Sequence, residues 1–87
     1  MSSGPLKLAK RVRLKEDAAR GGTVLLAPEA VIELNAQGAE VLALCDGTRT
    51  EDEIVQEMRA RYAGAPIQED VLAFLGRVLK RGWVEPI

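Results

Sequence analysis

The sequence predicts an α+β domain: three short strands followed by three helices, with the sheet gathered at one end. Three observations carry this. Between Arg11 and Leu34 apolar and polar residues alternate at a strand's period of two in "RVRLKED" and "AVIEL", with the short apolar run "TVLLA" between them. Beyond that point apolar residues recur at a helix's three-to-four spacing. Side chains that cap helices stand where the period changes.

The first strand is "RVRLKED", which sets Val12 and Leu14 on one side and Arg11, Arg13 and Lys15 on the other, the pattern of a half-buried strand. "AARGG" breaks it. "TVLLA" and "AVIEL" are the second and third strands, joined through Pro28 and Glu29, where proline's fixed φ suits the second position of a tight turn. In the third strand Ala30, Ile32 and Leu34 face one way and Val31 and Glu33 the other, which completes a meander. Asn35 offers a side-chain cap to a first helix with Val41, Leu42, Leu44 and Cys45 as its stripe, and Gly47 is expected to stop it. Thr50 and Glu53 form a capping box that opens a second helix, with Ile54, Val55, Met58 and Tyr62 on one face and "AGAP" at its end. The third helix starts near Ile67 and carries Glu69 and Asp70 at its positive end and Lys80 and Arg81 at its negative end. Its stripe is Val71, Leu72, Leu75, Val78 and Leu79, and Gly82 terminates it. "WVEPI" adds a last extended segment packed by Trp83. Residues 1–9 read as a flexible N-terminal arm and residues 10–87 as one domain, with Val12, Leu14, Leu26, Ile32, Leu42, Ile54, Leu72, Leu75 and Leu79 expected in one core.

The 87 residues make one domain with a small core. Apolar runs such as Val24 to Pro28 are far short of the roughly 20 residues a membrane span needs, and no signal-peptide block precedes them, so cytoplasm is the expectation. There is no His and only one Cys. Neither a Cys-His nucleophile nor a transition-metal site has its parts, so no cofactor, metal or enzymatic activity is expected. Cys45 falls at helical spacing with Val41 and Leu42 and reads as a small buried hydrophobe. Glu51, Asp52 and Glu53 sit where a helix first turn favours negative charge. The only serines, Ser2 and Ser3, leave no helix-start serine to carry a prosthetic arm. The net charge of −1 conceals segregation: the first 20 residues are basic, residues 29–57 acidic, and the last 30 basic again, a pattern that steers charged partners or simply solvates faces.

A three-stranded antiparallel sheet followed by three helices is winged-helix-like, so a DNA-binding transcriptional regulator is one reading. The helix that would enter the groove is then the third, whose first turn is Gln68, Glu69 and Asp70. Two carboxylates would face a polyanion, and with a pI near 5.4 the basic footprint of a duplex reader is missing. The other use of a small sheet is its open edge, which offers alternate N–H and C=O groups to an extended peptide.

"VLLAPEAVIELNAQGAEVLALCDGTRTEDEIVQEM" with the later "DVLAFLGRVLKRGWVE" resembles the PqqD family of pyrroloquinoline quinone (PQQ) biosynthesis, stand-alone peptide-recognition domains of ribosomal-peptide pathways. "LLAPE", "ELN" and "LCDGTRT" at their mutual spacing are its most specific pieces, and the likeness covers residues 10–85. It departs near Thr23, where many members carry an aromatic residue. The resemblance implies a chaperone-like carrier that binds the precursor peptide PqqA and presents it to the radical SAM enzyme PqqE, with no chemistry of its own. It further implies that the peptide lies antiparallel beside the third strand, with Ala30, Val31, Ile32, Glu33 and Leu34 on one wall and Phe74, Arg77, Val78 and Arg81 of the last helix on the other. Val31 and Glu33 are the candidate side-chain readers. The unoccupied edge and the "AARGG" connection both invite pairing or exchange of the first strand between copies, so a homodimer is expected without peptide.

Overall fold

The computed structural model describes residues 4–19 and 21–87. In chain order its elements are β1 (Leu6–Leu8), β2 (Arg13–Asp17), β3 (Gly22–Ala27), β4 (Ala30–Leu34), α1 (Ala36–Leu44), β5 (Asp46–Arg49), α2 (Glu51–Arg61), α3 (Gln68–Lys80) and β6 (Val84–Pro86). The expected meander is β2-β3-β4 and the three expected helices are α1 to α3. The strands form two antiparallel sheets, β2-β3-β4 and β5-β1-β6, so the α+β class holds and a second sheet joins the expected one.

Leu14, Leu25 and Ile32 stand in one cross-strand row of the meander. They face the helices, and Leu25 is fully buried. Arg13, Leu26 and Val31 form the neighbouring row on the opposite face. Leu26 is therefore half-buried on the outer face rather than in the core, and Val31 is 68% exposed. The aromatic position vacated at Thr23 does not disturb this hairpin, for Thr23 pairs in register with Glu16.

The second sheet revises the expectation for the N-terminus. Leu6 opposes Pro86 and Leu8 opposes Val84, with Leu6 and Val84 both buried. Residues 6–8, expected in a flexible arm, are thus the central strand of a sheet; residues 1–3 of that arm lie outside the described residues. β5 takes up "DGTR", between the first two helices. Asp46 Oδ1 accepts from the Thr48 N–H at 3.0 Å and from its hydroxyl at 2.5 Å, while Oδ2 accepts from Arg49 Nη1 at 3.2 Å. The Thr48 hydroxyl bond holds the Asp46 carboxyl below its ordinary value. Leu6 opposes Arg49 but Lys7 opposes Asp46, so Gly47 and Thr48 bulge outward, and Gly47 takes φ 88° there. This corrects its expected role as the stop of α1, which ends earlier, at Leu44 with Cys45 as its cap.

The caps are where the sequence puts them. Asn35 Oδ1 accepts the Gly38 N–H at 2.7 Å. Thr50 and Glu53 form both bonds of the capping box, at 2.9 and 3.3 Å. The helices bury Val41, Leu42, Ile54, Met58, Val71, Leu75 and Val78 against Leu6 and Leu25. Full burial of such a side chain stabilises by roughly 1.5–3 kcal/mol. The α3 stripe centres on Val71, Leu75 and Val78, so Leu72, 36% exposed, falls beside it and not in the expected core. Tyr62 donates to Glu40, and Arg61 pairs with Glu40 at 3.5 Å and Glu57 at 3.4 Å, which pins the end of α2 to α1. Among the described residues no helix is long and apolar enough to cross a membrane.

Candidate functional site

β4 is an edge of its sheet, and the turn that precedes it settles which way its backbone points. Ala27 pairs with Ala30 across the two-residue loop Pro28-Glu29. Pro28 and Glu29 are adjacent and cannot bridge to one another, so Ala27 and Ala30 must exchange the ladder bonds themselves. The register then alternates. Ala30, Ile32 and Leu34 direct their N–H and C=O groups towards β3, and those of Val31 and Glu33 point away from it, to the open side. Their side chains divide in the same way: Ile32 and Leu34 pack on the core and Val31 and Glu33 stand on the outer face.

The two ends of β4 lie near opposite ends of α3. At the Leu34 end, Asn35, Gly38 and Val41 of the β4–α1 junction and Val71, Phe74 and Arg77 of α3 enclose a depression of about 250 Å³. At the Ala30 end, Ala30 and Pro28 border a second depression, of about 470 Å³, with Arg81 and Trp83. The two depressions thus lie near opposite ends of β4. Gly38 walls the first of them: a Cβ there would come 3.0 Å from Asn35 Oδ1 and 3.4 Å from Phe74 Cζ, so its absence leaves room for the cap and for the ring. The Arg77 guanidinium lies 5.9 Å from the Phe74 ring centre, and that of Arg81 lies 5.2 Å from the Trp83 ring.

Of the residues expected at the site, Ala30 to Leu34 form the edge strand, and Phe74, Arg77 and Arg81 line the two depressions. Val78 is 2% exposed and lies in the core behind the wall. Lys10, Arg11 and Trp83 also line the second depression, which no local pattern reveals because the β1–β2 turn reaches the end of α3 only in three dimensions. Ala9 N–H donates to Trp83 O at 2.8 Å and Val12 N–H to Ala9 O at 3.0 Å, which fixes that turn. Among the described residues no cluster of His, Cys, Asp or Glu could hold a metal ion. Cys45 is buried, with Sγ 3.4 Å from Val41 O, and burial pushes its thiol up to about 12, far from a reactive thiolate.

A small α+β domain with an edge strand and a depression near each of its ends is the class that this geometry defines. Residues 22–84 match the family described as coenzyme PQQ synthesis protein D (PqqD), and the chain belongs to that family. It is 46% identical over 74 residues to the PqqA binding protein of Stutzerimonas stutzeri, covering 84% of this chain and 80% of that one. To the PqqA binding protein of Methylococcus capsulatus it is 35% identical over 82 residues, covering 94% and 88%. Among solved structures it is similar to the PqqD truncation of Methylobacterium extorquens PqqCD, a functional and stand-alone recognition element for ribosomally synthesized and post-translationally modified peptides. That match has a TM-score of 0.73 at 34% identity, over 92% of this chain and 87% of the other. The heterocyclase TruD shares the fold, with a TM-score of 0.66 at 18% identity, over all of this chain and 12% of that one.

Proposed function

We propose that this chain is a non-catalytic, cytoplasmic carrier in PQQ biosynthesis that binds the precursor peptide PqqA by adding it as an antiparallel strand to β4 and presents it to the radical SAM enzyme PqqE. The observation that carries the reading is the outward-pointing backbone of Val31 on the edge strand, between depressions at the two ends of α3. An extended peptide gains main-chain bonds on such an edge and specificity from the depressions at its ends. Membership of the PqqD family and relatives named PqqA binding proteins support the choice of peptide. A carrier without chemistry suits a chain with no His and a buried, protonated Cys45. The DNA-binding reading gains nothing from an α3 whose first turn carries Glu69 and Asp70. Without peptide, the open edge of β4 is the surface on which a second copy would pair.

Titrating the isotopically labelled chain with PqqA tests this. Backbone resonances of Ala30 to Leu34 should move most, followed by Phe74, Arg77 and Arg81. Movement confined to the β5-β1-β6 sheet would sink the docking site, and adding PqqE should retain the peptide in a three-component complex by sedimentation.

A further inference from the structure

The depression at the Ala30 end of β4 differs in charge from the one at the Leu34 end. Its floor is apolar, built from Val12, Ala27 and Trp83, while Lys10, Arg11 and Arg81 stand on its rim with Glu29 as the one acid. None of the three cations is in an ion pair among the described residues. The hydrogen-bonded Ala9–Val12 turn fixes the backbone of Lys10 and Arg11, and Arg81 is stacked on Trp83. The depression at the other end has Arg77 balanced by Asp70. A chain with a net charge of −1 thus gathers three unneutralised cations around one apolar floor that is continuous with its open strand. Such a concentration favours an anionic occupant.

We propose that this depression is a carboxylate-selective subsite, which takes an acidic stretch of the bound peptide immediately C-terminal to the segment paired with β4. The inference rests on the antiparallel docking proposed above. A peptide antiparallel to β4 passes from the Leu34 end to the Ala30 end and leaves the strand at this depression. Its carboxylates then meet Lys10, Arg11 and Arg81, and an apolar side chain among them covers Trp83. A peptide fits better than a phosphate backbone, because the pocket continues an edge that donates main-chain bonds and because Glu29 stands on its rim.

Trp83 is the only tryptophan of the chain, so its emission reports occupation of this subsite. The probes are PqqA and a version in which the acids of the C-terminal flank of the docked segment are replaced by their amides. Each is titrated into the full chain and into a Lys10→Glu/Arg11→Glu variant whose fold is checked by circular dichroism. PqqA should shift Trp83 emission, the amide version should bind at least about tenfold more weakly, and the variant should lose affinity for PqqA but little for the amide version. A Lys10→Arg/Arg11→Lys variant should bind like the parent. Equal affinity for both peptides, with β4 resonances still moving, overturns the subsite and leaves β4 docking intact. No movement of β4 with either peptide overturns both. A short oligonucleotide that shifted Trp83 emission as strongly as PqqA at physiological salt would also overturn it.

Discussion

Ala27 and Ala30 close a two-residue loop as a bonded pair, and from that pair the direction of every backbone group in β4 follows. Proline has no N–H to give. Val31→Pro should therefore fold with a near-parental urea midpoint and lose peptide affinity by roughly 1–3 kcal/mol, the cost of a buried carbonyl left unpaired. Ile32→Pro removes a bond to β3 instead and should destabilise the domain by about 3 kcal/mol or more. Binding by folded Val31→Pro with unchanged affinity would refute docking on this strand.

Leu6 sits in the middle strand of the second sheet with 2% of its surface exposed. Leu6→Ala should cost about 2–5 kcal/mol, and deletion of residues 1–8 should leave the chain unfolded by circular dichroism. A truncated chain that melts at the parental temperature would restore the view of this segment as a dispensable arm.

Thr50 accepts the Glu53 N–H at the start of α2 and lines neither depression. Thr50→Ala should lower stability by about 1 kcal/mol, read from urea midpoints, with peptide affinity per folded molecule unchanged.

Cys45 gives a pH prediction. Burial raises its folded value from 9.0 to about 12, so below pH 9 both folded and unfolded thiols are protonated and the full stability is present. Between pH 9 and 12 the unfolded thiol ionises and the folded one does not, and stability falls. Tyr62, raised by its bond to Glu40, acts in the same direction. The thermal midpoint should drop across that window, and Cys45→Ala should flatten the drop. A thiol reagent at pH 8 should label Cys45 in urea and leave the native chain unmodified.

The meander, the caps at Asn35 and Thr50 and the three helices were legible because each is written within a few neighbouring residues: an alternation, a Pro-Glu turn, a capping pair. β1 and β5 were not. Strands of three and four residues have no readable period, and theirs exist only because Leu6 meets Arg49 and Pro86 across the chain. Gly47 takes its positive φ in the bulge of β5 rather than at the end of α1, a use that depends on pairing across the chain. The strand and helix walls of the site were visible as faces of β4 and α3. That Val78 lies behind its wall, and that Lys10, Arg11 and Trp83 converge at its end, depends on packing that no local pattern encodes.

The pairing of β1 with β6 brings the two ends of the described chain side by side, with Ile87 N–H donating to Pro5 O at 2.8 Å. The fold can therefore be spliced into a longer polypeptide as a plug with both leads on one side, and its host need spare only two adjacent attachment points. Peptide would then be captured on β4, in the other sheet from the leads, so the same edge could serve either alone or as an insert without being rebuilt.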